Sequence, residues 1–185
     1  MSVEKIVIRP VNEEDLLQVS IFAKQSFRDT FFDAAGYDEE EFVVFINEEY
    51  SLQKLRHWMN NPNDYGFAVA MIDTVCVGFS LVGNKCKLPF EEVKENVDCE
   101  IYKCYVAKEY FGQGVARRLM DTSIEWVTNN STQGNIYIGV WSENYRAQKF
   151  YSKFGAVKVA EYDYSVGETK DHEFILRIDR SIETN

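Results

Sequence analysis

Apolar and polar positions along the chain change period several times, and each change marks an element. Val3 to Arg9 alternates as a first strand and is closed by Pro10, which has no N–H to give a ladder. Asn12 followed by Glu13-Glu14-Asp15 is a capped helix start, and Leu16, Val19, Phe22, Ala23 and Phe27 then recur on one helical face. Asp38 predicts a second helix through Phe42, Phe45 and Ile46. Ser51 predicts a third, with Leu52, Leu55 and Trp58 inward, ending near Asn60-Asn61-Pro62. Tyr65–Ile72 and Val75–Val82 read as strands joined by a tight turn at Asp73-Thr74. From Gly83 to Val97 the period is lost, and charged residues surround Leu88-Pro89-Phe90. This segment reads as a mobile loop, either a flap over a ligand or a surface insertion.

Regular pattern returns at Cys99–Val106, the expected central strand. A helix follows to about Asn129 with Val115, Leu119, Ile124 and Val127 inward, then a strand over Asn135–Val140. Glu143-Asn144 opens a helix carrying Ala147, Phe150, Tyr151 and Phe154, with Gly155 as its C′ residue. Ala156–Tyr164 and His172–Asp179 are the last hairpin strands, around Val166-Gly167-Glu168. The order β-α-α-α-β-β-β-α-β-α-β-β predicts an α/β fold, one mixed and largely antiparallel sheet flanked by helices.

Composition narrows the class. The 185 residues fit one domain spanning 1–185, and 45% apolar content is enough for a core. No apolar run approaches the roughly 18 residues of a membrane span, so no membrane partner is expected. Met1-Ser2-Val3-Glu4-Lys5 does not resemble a signal peptide. Cys76, Cys86, Cys99 and Cys104 form no C-x-x-C pair and two histidines accompany them. Reduced thiols in a cytoplasmic protein are therefore expected, and no metal site. The net charge of −10 is unevenly spread: residues 1–100 carry −10, 101–160 carry +4 and 161–185 carry −4. The acidic remainder argues against nucleic acid, and the one basic segment suits a ligand bearing several phosphates. Acidic surface serves either solubility or substrate capture.

That basic segment holds the candidate chemistry. In Cys99–Asp121 an apolar strand runs into Phe111-Gly112-Gln113-Gly114-Val115-Ala116, and a helix starts at once. Gly112 and Gly114 allow a sharp turn and close backbone approach, and unpaired N–H groups of the first helical turn attract an anion. The x-G-x-G-x-A spacing lacks the Gly-Lys-Ser/Thr ending of a nucleotide P-loop. A plain strand-to-helix turn would use the same glycines.

A second motif follows, Asn144-Tyr145-Arg146-Ala147-Gln148-Lys149-Phe150-Tyr151-Ser152-Lys153-Phe154-Gly155. Strand, glycine loop, strand and N-x-x-A-x-x-F-Y-x-K-x-G together resemble the GNAT superfamily of acetyl-CoA-dependent N-acetyltransferases, most strongly over residues 99–157. Phe111 stands where that family usually has Arg or Gln, and Ala156 where it usually has Phe. Phe27-Arg28-Asp29-Thr30-Phe31 and Ile138-Gly139-Val140-Trp141 are similar to the spermidine/spermine acetyltransferases of the Pai type.

The resemblance implies acetyl-CoA as co-substrate and direct transfer to an amine in a ternary complex. It implies a pyrophosphate cradle from Phe111, Gly112, Gln113, Gly114, Val115, Ala116 and Arg117. Cys104, Tyr105 and Val106 would pair with pantetheine through their backbone, one N–H serving as oxyanion donor. Asn144, Ala147 and Tyr151 would complete the site, Tyr151 as the acid that protonates the thiolate; a helix cap at Asn144 and a core tyrosine at Tyr151 are the plain readings. Strand alternation places Glu100, Tyr102, Cys104 and Val106 on one face. By resemblance Glu100 is the general base; an idle edge glutamate, or a water relay from Tyr102 or Asp98, is the alternative. Cys104 as an acyl-carrying nucleophile is a further reading. The acceptor is expected to be a primary amine on a polyamine or small cation, because Asp33, Asp38, Glu39, Glu40, Glu41, Glu48 and Glu49 would border its cleft without a Lys or Arg between them. A protein N-terminus or lysine is the alternative acceptor. A CoA-binding regulatory module without catalysis is the alternative class, and homodimer formation stays open.

Overall fold

A computed structural model describes residues 6–131 and 133–180. The elements are β1 (Val7–Pro10), α1 (Leu16–Ala35), α2 (Glu39–Glu49), α3 (Leu52–Asn60), β2 (Tyr65–Ile72), β3 (Val75–Gly83), β4 (Cys99–Val106), α4 (Val115–Asn130), β5 (Ile136–Trp141), α5 (Tyr145–Ser152), β6 (Val157–Val166) and β7 (Thr169–Ile178). The strands form one seven-stranded sheet in the order β1-β2-β3-β4-β5-β7-β6. Every neighbouring pair is antiparallel except β4 and β5. The expected element order and α/β class therefore hold.

Local chemistry sets the boundaries. Asn12 and Asp15 exchange hydrogen bonds in a capping box, with Asp15 N–H to Asn12 Oδ1 at 3.2 Å and Asn12 N–H to Asp15 Oδ2 at 2.9 Å. Arg9 grips the same Asp15 carboxylate with both terminal nitrogens, tying β1 to the start of α1. Asp38 caps α2 and Ser51 caps α3, as their positions predict. Asp73 adopts φ 52° in the β2–β3 turn, a left-handed conformation that aspartate tolerates.

Several expectations need correction. β1 takes in Pro10, opposite Ala68, because an edge strand can spare the missing donor; Val3 to Lys5 lie outside the described residues. Leu52 is exposed rather than inward, since Leu55 and Trp58 alone fill the α3 contact. Ile124 is half-buried, and Met120 and Ser123 occupy the inner face of α4 beside Leu119 and Val127. α5 ends at Ser152, and Gly155 takes its left-handed turn (φ 79°) three residues later.

The segment 84–98 is not a free flap. Cys86 and Leu88 are buried against Tyr137 and Ile175. Buried Asp98 accepts from Lys94 N–H and Asn135 N–H, each at 2.7 Å, fastening the segment to the start of β5. Among the described residues no helix is long and apolar enough to cross a membrane.

Two apolar layers flank the sheet. Phe27, Phe42, Tyr50 and Phe79 lead the layer under α1–α3, while Met120, Val127, Ile101 and Ile138 lead the layer under α4 and α5. β4 departs from regular pairing in two ways. It pairs with β5 only at Cys99–Ile136 and Glu100–Tyr137. Beyond that point β4 stays with β3 out to Val106, and β5 stays with β7 out to Trp141, so the sheet parts along a seam. The second departure is a bulge: Val82 faces Ile101 but Leu81 faces Lys103, leaving Tyr102 as an extra residue.

Candidate active site

The seam, the loop before α4, α1 and α5 enclose a cleft of about 900 Å³. One half is lined by Gly112, Gly114, Ala116, Arg117, Asn144, Ala147 and Tyr151. The other is lined by Glu49, Glu100, Lys103, Tyr162, Asp171 and Glu173.

In the first half, Gly112 (φ 75°) and Gly114 (φ 84°) turn the chain into α4 with backbone that side-chain-bearing residues avoid. A Cβ at either glycine would meet nothing within 4 Å, so the space over the loop is open. No side chain caps α4 and no acid stands in its first turn, so its leading N–H groups face that space. Along the seam the β5-facing backbone of β4 lacks a strand partner beyond Glu100. An extended ligand with amide groups and a pyrophosphate fits both features.

The expected residues divide. Cys104, Tyr105, Val106, Phe111, Gly112, Gly114, Ala116, Arg117, Asn144, Ala147, Tyr151 and Glu100 all line the cleft. The Val115 side chain is buried under α4 and the Gln113 amide turns back to the Glu109 carbonyl at 2.6 Å, so these two offer backbone only. Asn144 Oδ1 accepts from Ala147 N–H at 3.1 Å and caps α5, as the plain reading had it.

The bulge overturns simple alternation. Tyr102 and Tyr105 pack toward the α1–α3 layer, whereas Cys104 and Val106 pack toward α4. Cys104 therefore leaves the face of Glu100 and Tyr102, and burial pushes its thiol up to about 12, which leaves almost no thiolate for nucleophilic work.

Glu100 is buried, not an edge residue, and accepts from Lys87 N–H at 2.8 Å. Burial raises its carboxyl to about 7, against the opposing pull of the Lys87 N–H and of Lys103. The two residues of the alternative relay have partners of their own. Asp98 holds two backbone N–H groups, and the Tyr102 hydroxyl donates to the Lys85 carbonyl. Tyr151 is 8% exposed, and burial, with Cys104 and Tyr105 nearby, holds its hydroxyl protonated well above the usual range.

The acids from Asp33 to Glu49 do not lie where the expectation put them. Of the seven, Glu49 alone lines the cleft. Glu39 pairs with Arg28 on the outside, and Glu41 accepts from Glu168 N–H at 2.8 Å. Glu49 is itself neutralised by Lys103 at 3.0 Å and by Lys54. The acids that do face the cleft come from elsewhere. Glu173 on β7 accepts from the Tyr162 hydroxyl, and Asp171 from Tyr37. Burial raises both, Asp171 to about 6. Gly139 makes room for this pair, because a Cβ there would lie 2.7 Å from the Tyr162 oxygen and 3.0 Å from Glu173 Oε2. Strand alternation in β6 and β7 could have suggested Tyr162, Tyr164, Asp171 and Glu173 as one-face sets, but not which face. All four cysteines are free, and among the described residues no cluster of His, Cys, Asp and Glu is placed to hold a metal.

A split sheet with a glycine loop at a bare helix N-terminus on one lip defines an acyl-CoA-dependent transferase of the N-acetyltransferase class. The chain belongs to the acetyltransferase (GNAT) family, whose model matches residues 25–156. It is 24% identical over 178 residues to an uncharacterised N-acetyltransferase of the pepI 3′ region of Lactobacillus delbrueckii subsp. lactis, covering 93% of this chain and 96% of that one. It is 30% identical over 128 residues to an uncharacterised N-acetyltransferase of Archaeoglobus fulgidus, covering 62% and 84%. Its fold is similar to the crystal structure of a PaiA N-acetyltransferase from Thermoplasma acidophilum in complex with coenzyme A, with a TM-score of 0.73, 22% identity and 95% and 99% coverage.

Proposed function

We propose that the chain acetylates a primary amine on a polyamine or other small cation by direct attack in a ternary complex. Acetyl-CoA supplies the acetyl group as an activated thioester. The observation that carries the reading is Glu100, a buried carboxyl lining the cleft where β4 leaves β5, at the end of β4 away from the glycine loop, and raised by burial to about 7. A protonated alkylamine has a pKa near ~10.4 and needs such a base before it can attack.

In this reading Glu100 takes the ammonium proton. Tyr151, held neutral by burial, gives a proton to the departing sulfur. Backbone groups of Cys104, Tyr105 and Val106 receive the pantetheine arm as an added strand, and one N–H of this set faces the acyl oxygen as charge builds there. The loop from Phe111 to Arg117 holds pyrophosphate through backbone N–H groups, and Asn144 and Ala147 border the arm. Glu173 and Asp171, on the far side of the cleft, attract the remaining cationic end of the acceptor.

Incubation with acetyl-CoA and an amine panel, read by release of free thiol, tests the proposal. Turnover with spermidine or a related cation is the expected result. Turnover confined to peptide N-termini or peptide lysines would replace the acceptor assignment with a protein amine. Tight coenzyme A binding with no release for any amine would replace the enzyme reading with a regulatory module.

A further inference from the structure

Phe111 and Arg146 form an arrangement that the catalytic roles of the cleft leave unused. Phe111 opens the glycine loop and is 38% exposed, so its ring is open to a neighbour at the mouth of the cleft. The Arg146 guanidinium, from the first turn of α5, lies 3.9 Å from the centre of its ring. Both residues line the cleft beside Gly112 and Gly114. Among the described residues Arg146 has no ion-pair or hydrogen-bond partner, whereas Arg117, also on this lip, pairs with Asp121 at 3.7 Å. Neither α4 nor α5 has an acid in its first turn to compete for the charge.

A guanidinium resting near an aromatic ring is attracted by the ring and loses side-chain freedom in advance of binding. Its N–H donors are not consumed by that contact and remain in a fork suited to two oxygens of one phosphate. The loop itself offers backbone N–H groups but, with an aromatic residue at its head, no polar side chain at that position. A cation brought in from α5 supplies what the loop lacks.

We propose that Arg146 is a side-chain ligand of the cofactor pyrophosphate and that Phe111 is the positioning residue that holds it over the glycine loop. This rests on the reading that the loop receives the pyrophosphate of coenzyme A. Calorimetric titration of Arg146→Gln, Arg146→Lys and Phe111→Leu with coenzyme A, 3′-dephospho-coenzyme A and pantetheine is the test, each variant first checked for an unchanged melting temperature. Arg146→Gln should weaken coenzyme A and its dephospho form alike by about 10- to 100-fold, the span of a charge-assisted hydrogen bond. Pantetheine, which has no phosphate, should bind all variants as it binds wild type. Arg146→Lys should fall between wild type and Arg146→Gln, because an ammonium cannot fork, and Phe111→Leu should lose part of the affinity in the same pattern. Unchanged coenzyme A affinity in Arg146→Gln would overturn the proposal. So would a loss confined to coenzyme A, which would move Arg146 to the 3′-phosphate. If wild type bound neither phosphate-bearing ligand, the cofactor reading of the loop would fall first, and this failure would show before any variant was compared.

Discussion

At the scale of single residues, the proposed mechanism assigns proton transfer to two buried groups, Glu100 and Tyr151. Glu100 has its carboxyl raised to about 7 by burial, so kcat/KM should climb with pH to a plateau whose midpoint lies near 7. Glu100→Gln should remove that limb and lower kcat by about 10²-fold or more, the usual weight of an acid–base group. The same burial makes a stability statement. A carboxyl that binds its proton more tightly folded than unfolded contributes fully below the unfolded value near ~4.5, and the contribution is lost as pH rises through about 7. The Gln variant should therefore melt above wild type at pH 8 and lose that advantage at pH 5. Equal melting curves at both values would show that Glu100 is hydrated in solution. Tyr151→Phe keeps the ring and removes the proton. It should cut kcat by about 10²-fold with little change in acetyl-CoA affinity, and wild-type turnover would return Tyr151 to a packing role.

At the scale of elements, the glycine loop makes a sharper forecast. Gly114 is the left-handed residue before α4, and a Cβ there meets open space. Gly114→Val should fail through backbone strain of about 1–3 kcal/mol and through a side chain standing over the N–H groups, not through a clash in the core. A folded protein with no measurable coenzyme A binding by calorimetry is expected; unchanged affinity would remove the loop from the cofactor site. The elements themselves are written in local chemistry, which is why caps at Asn12, Asp38 and Ser51 and glycines at 112 and 114 locate them from sequence. The bulge at Tyr102 is not local. It arises from how β4 meets β3, and no alternation count reveals the extra residue that sends Cys104 to the α4 face. Glu173 and Tyr162 were hidden for the same reason: their meeting is set by β6–β7 pairing and by the room left at Gly139. The α2 acids misled because a helix has an outside, and capping chemistry explains Asp38 and the acids after it without a ligand.

At the scale of the whole molecule, the cleft carries charge of both signs: Arg117 and Arg146 line it beside the glycine loop, and Glu100, Asp171 and Glu173 line it with Lys103, which pairs with Glu49. Spermidine should be preferred to a neutral-tailed monoamine through KM. The preference should fade as salt rises from ~0.05 to ~0.5 M, where screening shortens below ~10 Å. Glu173→Gln should erode the preference, while changing Glu39, Glu40 and Glu41 together to Gln should leave it intact. The reverse pattern in initial-rate measurements would restore α2 as the acceptor border. The parted sheet has one more consequence. Joined by two residue pairs, β1–β4 and β5–β7 are two half-sheets with a missing rung between them, and whatever occupies the seam becomes part of the protein's own hydrogen-bonded fabric. The resting enzyme should then behave as an unfinished fold that its co-substrate completes. Amides of Lys103 to Val106 on the open edge should exchange with deuterium much faster than those of β2. At about 100-fold excess over its dissociation constant, coenzyme A should add about 2.7 kcal/mol to global stability while slowing exchange most along that edge.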